Sequence, residues 1–155
     1  MGPMKLRVYL DTSVFNAVLD AQWPDRRDVT LRFFDRLADF DVATSEVARS
    51  EISDTRDPAR RTELLALLER VNVIEVTEEM KELAWNYVRH RIFTARMLDD
   101  ARHVAAAVVT RQDVLLSWNF RHLVNRRRRA MINELNLSRY LPRIDIVSPM
   151  ELAYE

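Results

Sequence analysis

Leu6-Arg7-Val8-Tyr9-Leu10, followed at once by Asp11-Thr12-Ser13, is the stretch from which the fold can be read. The first five residues alternate in polarity and are rich in β-formers, which predicts a short strand. Val14, Phe15, Val18 and Leu19 then recur at helical spacing. Asp11 therefore stands where a strand hands over to a helix.

The same alternation continues along the chain. Gln22-Trp23-Pro24-Asp25 breaks the first helix, and Val29 to Leu37 resumes a helical pattern with Leu31, Phe34 and Leu37 on one face. Asp41-Val42-Ala43 predicts a second strand, and Thr44 or Ser45 can cap a helix running to about Ile52. Asp54 to Asp57 reads as a loop before Pro58, and Thr62 to Arg70 as a helix with Leu64, Leu65, Leu67 and Leu68 inward. Val71 to Val76 is a third strand, after which Thr77 caps a helix to about Arg91. Met97-Leu98-Asp99-Asp100 opens another helix whose Val104, Ala105, Ala107 and Val108 are small enough to pack closely on a sheet. The apolar run from Asp113 to Trp118 suits a central parallel strand. A helix over Arg126 to Asn136 and a strand over Ile144 to Val147 complete the pattern. Strands alternating with helices imply βαβ units, an α/β fold with a mostly parallel sheet and helices on both faces. We read residues 4–155 as a single domain.

Composition narrows the chemistry. The chain has 155 residues, 48% hydrophobic and 31% charged, the balance of an ordinary globular domain. It has no cysteine, which excludes a disulfide scaffold, a thiolate zinc site and a cysteine nucleophile. Its one glycine is Gly2, which excludes the Gly-rich phosphate loops and the nucleophile elbow. Formal net charge is zero, with two lysines, Lys5 and Lys81, among 24 basic residues and the other 22 arginine. Arginine suits carboxylates and phosphates, although genome composition also produces such a bias. No apolar run approaches the ~20 residues of a membrane span, and no secretion segment opens the chain, so a cytoplasmic location is expected.

In open α/β sheets, ligands bind beyond the carboxyl ends of the strands. Asp11 ends the first strand, Glu51 lies on the helix after the second, Asp100 starts the helix before the late apolar strand, and Ser117 and Asn119 end that strand. Three carboxylates in one cleft raise one another's pKa and oppose folding. A divalent cation removes that cost, and oxygen donors without cysteine favour Mg2+ or Mn2+ over zinc. A metal held this way can activate water against a phosphodiester. An aspartyl phosphatase is a poorer fit, because the position two beyond Asp11 is Ser13 rather than a second aspartate.

Four segments together resemble the PIN domain, the ribonuclease fold of VapC-type toxins. Val8-Tyr9-Leu10-Asp11-Thr12-Ser13 resembles its opening strand and first acid, and Ser45 to Ile52 the segment carrying the second acid, Glu51. Asp100-Ala101-Arg102-His103-Val104-Ala105 resembles the helix start with the third acid, and Leu116-Ser117-Trp118-Asn119-Phe120 the strand end with a fourth polar position. Trp118 to Asn125 and Ser148-Pro149-Met150-Glu151-Leu152 are similar to one subgroup. The resemblance implies a three-layer fold with five parallel strands, a Mg2+/Mn2+ site and metal-dependent RNA cleavage. It implies an RNA substrate, an antitoxin partner and a homodimer, for which the helices after Thr62 offer an apolar face. Asn119 departs from the commoner aspartate, which leaves a weakly active or inactive RNA- or partner-binding module as the alternative.

Each residue also has a plainer reading. Asp11 could cap the helix that follows it. Glu46 rivals Glu51, but five residues turn a helix by about 500°, so the two point about 140° apart and cannot both face the cleft. Thr12, Ser13 and Ser117 are expected to support the acids, with a cap for Ser13 and strand packing for Ser117 as alternatives. Asp99 should point away from Asp100. His103, on the same face as Asp100, is expected to be a satisfied half-buried histidine rather than a ligand, and His90 and His122 surface residues. Asn119 could equally be a turn residue. Arg121, Arg126, Arg127, Arg128 and Arg129 bring five positive charges without an acid, suited to RNA phosphates or to a solvated helix face. Trp23, Trp85 and Trp118 read as core or dimer residues.

Overall fold

A computed structural model describes residues 4–153; residues 1–3 and 154–155, the last two inside the expected domain, lie outside the described residues. Five strands form one parallel sheet: β1 (Arg7–Leu10), β2 (Asp41–Ser45), β3 (Asn72–Ile74), β4 (Val114–Leu116) and β5 (Asp145–Val147), in the order β3-β2-β1-β4-β5. Among the described residues, eight α-helices connect and cover them: α1 (Thr12–Leu19), α2 (Pro24–Asp35), α3 (Glu46–Ser53), α4 (Pro58–Leu68), α5 (Glu78–Arg89), α6 (Leu98–Val109), α7 (Arg126–Ser138) and α8 (Met150–Ala153). The three-layer α/β expectation is met.

The strand alternation sorts the core into two halves. Val8 and Leu10 of β1, with Val114 and Leu116 of β4, face a cluster built from α1, α2, α3, α4 and α8. Tyr9 and Leu115 point to the opposite face, where α5, α6 and α7 pack. Each large apolar side chain buried there contributes about 1.5–3 kcal/mol. The alanines of α6, Ala101, Ala105, Ala106 and Ala107, are fully buried and let this helix approach the sheet closely. That closeness matters for the site, because α6 also carries Asp100 and His103.

Three expectations need correction. The break near Pro24 is shorter than read: proline occupies the first turn of α2, where its missing N–H costs nothing, so the helix starts there rather than at Val29. The same holds for α4, which begins at Pro58 with the Asp57 carboxylate capping Ala59 N–H. The buried face of α2 is Thr30, Phe33 and Phe34, and Leu31 is exposed. Of the three tryptophans read as core or dimer residues, Trp118 is core, with its indole N–H donating to Thr30 Oγ1 at 2.8 Å, and Trp23 and Trp85 are about half-exposed.

With a single glycine in the chain, helix ends must close by other means. Arg91, Arg111 and Tyr140 adopt φ near +60°, just beyond the ends of α5, α6 and α7. Each sits where glycine normally closes a helix. Ile92, Gln112 and Leu141 N–H then reach back to the carbonyls of Tyr87, Ala107 and Asn136. Among the described residues, no helix is long and apolar enough to cross a membrane.

Candidate functional site

Asp11 is placed by β1, whose parallel pairing with β4 brings Ser117 alongside. Asp11 N–H donates to Leu116 O at 3.2 Å, which aligns the two strand ends. The side chain is almost fully buried. It occupies the N-cap position of α1 yet makes no capping bond. Instead Ser13 Oγ donates to Oδ1 and Ser117 Oγ to Oδ2, each at 2.5 Å. The serines are held in turn by the backbone, Trp118 N–H donating to Ser13 Oγ and Asn119 N–H to Ser117 Oγ. The carboxylate is thus fixed in orientation rather than spent on the helix. Burial pushes its pKa up, and the charge of Asp100 adds to this, while His103 and the two serine hydroxyls act in the opposite direction.

Glu51 comes from the inner face of α3, which starts where Ser45 Oγ accepts the Val47 N–H. Its rival Glu46 pairs with Arg49 at 3.0 Å on the outer surface. Glu51 Oε1 accepts from Thr12 Oγ1 at 2.8 Å and from His103 Nε2 at 2.6 Å. Burial works to raise the Glu51 pKa, but the bond to His103, its charge and the Thr12 hydroxyl together lower it. Thr12 therefore supports Glu51 rather than Asp11.

Asp100 stands in the first turn of α6, and Asp99 beside it turns outward to Arg102 at 3.1 Å. Asp100 is about one-fifth exposed, and its Oδ2 lies 3.3 Å from His122 Nδ1. Burial raises its pKa, against His103 and His122, and the charge of Glu51 raises it further. Asp100 therefore lies within electrostatic reach of both Asp11 and Glu51.

His103, expected as a satisfied half-buried histidine, and His122, expected at the surface, both lie inside this group. His103, 2% exposed, stands between the acids. Its Nδ1 lies 2.7 Å from the Tyr9 hydroxyl, which lies 2.6 Å from Ser45 Oγ. Burial works to lower the His103 pKa, but Glu51, Asp11 and Asp100 raise it overall. Charged, it donates from both nitrogens, to Glu51 and to Tyr9, whose buried phenol stays neutral. The raised pKa favours this charged form, which offsets the acids around it. The D-x-x-H spacing placed it on the right face, but only its burial beside Glu51 reveals the role. His122 is not simply a surface residue, because the Trp118–Asn125 segment turns it towards Asp100. His90 is exposed, with Nδ1 2.9 Å from Asn86 O.

Asn119 is half-buried at the rim, and its Oδ1 accepts the His122 N–H at 2.9 Å, a turn-forming bond. The basic run divides. Arg128 donates to the carbonyls of Ile92 and His122 and lies over the Phe93 ring, tying the rim segment to the loop after α5. Arg129 donates to Ile146 O. Arg121, Arg126 and Arg127 are exposed.

The donor chemistry suits a hard divalent cation: three carboxylates, partly desolvated, with raised pKa values at Asp11 and Asp100. The arrangement is nevertheless closed by hydrogen bonds, and among the described residues no three histidine, aspartate or glutamate side chains stand in metal-holding geometry.

Comparison with protein families matches residues 8–121 to the PIN domain. Comparison with curated proteins found no match. Among solved structures, DNA-bound VapBC from Salmonella typhimurium is similar at a TM-score of 0.61 and 14% identity, covering 93% of this chain and 98% of that one. VapBC2 from Rickettsia felis, bound to a promoter DNA fragment, gives 0.59 and 14%, covering 90% and 96%. VapC20 of Mycobacterium tuberculosis, a sarcin-ricin loop cleaving toxin, gives 0.59 and 19%, covering 74% and 92%.

Proposed function

The chain belongs to the PIN domain family, and from that premise we propose that it is an endoribonuclease dependent on Mg2+ or Mn2+, the toxin of a toxin–antitoxin pair. One observation carries the proposal: Asp11, Glu51 and Asp100, from three separate segments, gather around the buried His103 beyond the ends of β1 and β2. Asp11, Asp100 and Glu51 are the residues that would hold the cation, with Asn119 at the rim. Bound there, a divalent cation supplies a water of lowered pKa and charge compensation for a phosphodiester.

The protein's own part is positional. Ser13 and Ser117 fix Asp11, Thr12 and His103 fix Glu51, and His122 stands beside Asp100. Exposed Arg121, Arg126 and Arg127 suit RNA phosphates. An antitoxin partner is supported by the likeness to toxin–antitoxin complexes. A homodimer fits the half-exposed Trp85 on α5.

The test is digestion of structured RNA with Mg2+ or Mn2+, with and without EDTA, using the wild type and Asp11→Asn. Cleavage lost in EDTA and in the variant supports the reading; cleavage persisting in either overturns it. Glu51 held by His103, together with the uncharged Asn119, favours the second reading, an RNA- or partner-binding module. RNA binding without cleavage under either metal would select it.

A further inference from the structure

A second feature lies beside the acidic group. Ser13, which bonds Asp11, and Asn119, which bonds Ser117, line a cavity of about 300 Å³ together with Asn16, Asp20, Trp23, Arg26 and Trp118. That volume is at the lower end of small-ligand sites, about 300–1,000 Å³. The Arg26 guanidinium lies 4.4 Å from the centre of the Trp23 ring, 5.3 Å from Phe120 and 5.5 Å from Trp118. Trp118 belongs to the core, but Trp23 is 50% exposed and Phe120 44%. No carboxylate lies within ion-pair distance of Arg26 among the described residues.

Two half-exposed aromatic rings thus flank an arginine that no carboxylate pairs, beside an otherwise acidic cleft. Unstacked RNA bases are recognised by aromatic and guanidinium planes, with polar side chains meeting their edges. Trp23 and Arg26 offer the planes, and Asn16 and Asp20 offer the polar edge. Ser13 links the cavity to the reacting group, since its Oγ lies 2.5 Å from Asp11 Oδ1.

We propose that the cavity between Trp23, Arg26 and Asn119 receives the base of an unpaired nucleotide adjoining the phosphodiester held at Asp11. The assignment rests on the ribonuclease reading and deepens it: the substrate is RNA with a flipped or looped base beside the scissile bond. A duplex cannot deliver a base there without unpairing.

The test separates the two ideas. A labelled single-stranded hexaribonucleotide of mixed sequence and a blunt RNA duplex are titrated in EDTA against the wild type, Trp23→Ala, Trp23→Phe and Phe120→Ala, with thermal unfolding as the folding control. Trp23→Ala is expected to weaken single-strand binding by about fivefold to a hundredfold. Trp23→Phe retains most of the binding, and duplex binding is unchanged. Equal single-strand binding by the wild type, Trp23→Ala and Phe120→Ala overturns the proposal and leaves the cavity to a protein side chain. Cleavage by the wild type with Mn2+ is scored separately. No cleavage, with single-strand binding lost in Trp23→Ala, sinks the nuclease reading and keeps the base site. Cleavage with unaltered binding in Trp23→Ala does the reverse.

Discussion

His103 Nε2 lies 2.6 Å from Glu51 Oε1, so an imidazole from α6 and a carboxylate from α3 share a short bond across 52 residues of sequence. The bond favours the charged imidazole, a positive charge set inside the acidic group. With the Thr12 hydroxyl it holds Glu51 through Oε1, which fixes the orientation of the carboxylate.

Replacing His103 by alanine should therefore destabilise the metal-free protein and make it depend on added cation. Removing one partner of a buried pair costs about 3–5 kcal/mol; Glu51 is one-third exposed, so about 2 kcal/mol is expected. Thermal unfolding in EDTA and in Mn2+ measures both effects. A variant as stable as the wild type in EDTA would show that His103 is not the counter-cation.

The pH dependence follows from the same pair. The His103 pKa is raised when folded, so its contribution is complete below the ordinary value of about 6.5 and is lost as pH rises through the folded value. The Glu51 pKa is lowered, so its contribution is present above about 4.3 and is lost as pH falls through the folded value. Raised values at Asp11 and Asp100 make the folded state hold protons longer, so they too favour lower pH. Without metal, the protein should be more stable near pH 6 than near pH 8. A His103→Asn variant with an unchanged slope over that interval would contradict the assignment.

At Asp11 the expected effects on stability and on function diverge. Asp11→Asn removes a buried charge whose pKa burial has raised, so the variant should unfold in EDTA at or above the wild-type midpoint. It should lose the stabilisation given by Mn2+. Ser117→Ala leaves the charge but frees Oδ2, and should cost about 10–100-fold in metal affinity, the usual range for groups that orient a ligand. Calorimetric titration with Mn2+ distinguishes the two, and wild-type affinity in Ser117→Ala would count against an orienting role.

Tyr140 offers a stability test remote from the site. It is 95% exposed and holds φ near +59°. A left-handed conformation costs a non-glycine residue about 1 kcal/mol, so Tyr140→Gly should stabilise the protein by up to about that amount. Denaturant unfolding with an unchanged slope would report it, and a lower midpoint would argue that the tyrosine side chain contributes contacts of its own.

Local pattern alone carried much of this protein. The alternation in Leu6 to Leu10, the caps Ser45 and Thr77 and the small residues of Val104 to Val108 are short-range signals, and they specify strands, helix starts and a close-packed helix wherever the chain folds. The positions of Asp11, Glu51, Asp100 and Ser117 at strand and helix ends follow from the same periodicities. The starts of α2 and α4 are not legible in that pattern, because proline suits a first helical turn as readily as a break. What only tertiary structure decided is which side chains share an environment. His103 becomes a counter-ion because α6 packs it against Tyr9 and Glu51, and His122 meets Asp100 because Arg128 ties down the segment that carries it. Arg26 meets Trp118 and Phe120 through the docking of α2 against the rim. Hydrophobic period is written along the chain, whereas burial of a charge and the partner that offsets it depend on segments many residues apart, and those meet only when the layers close.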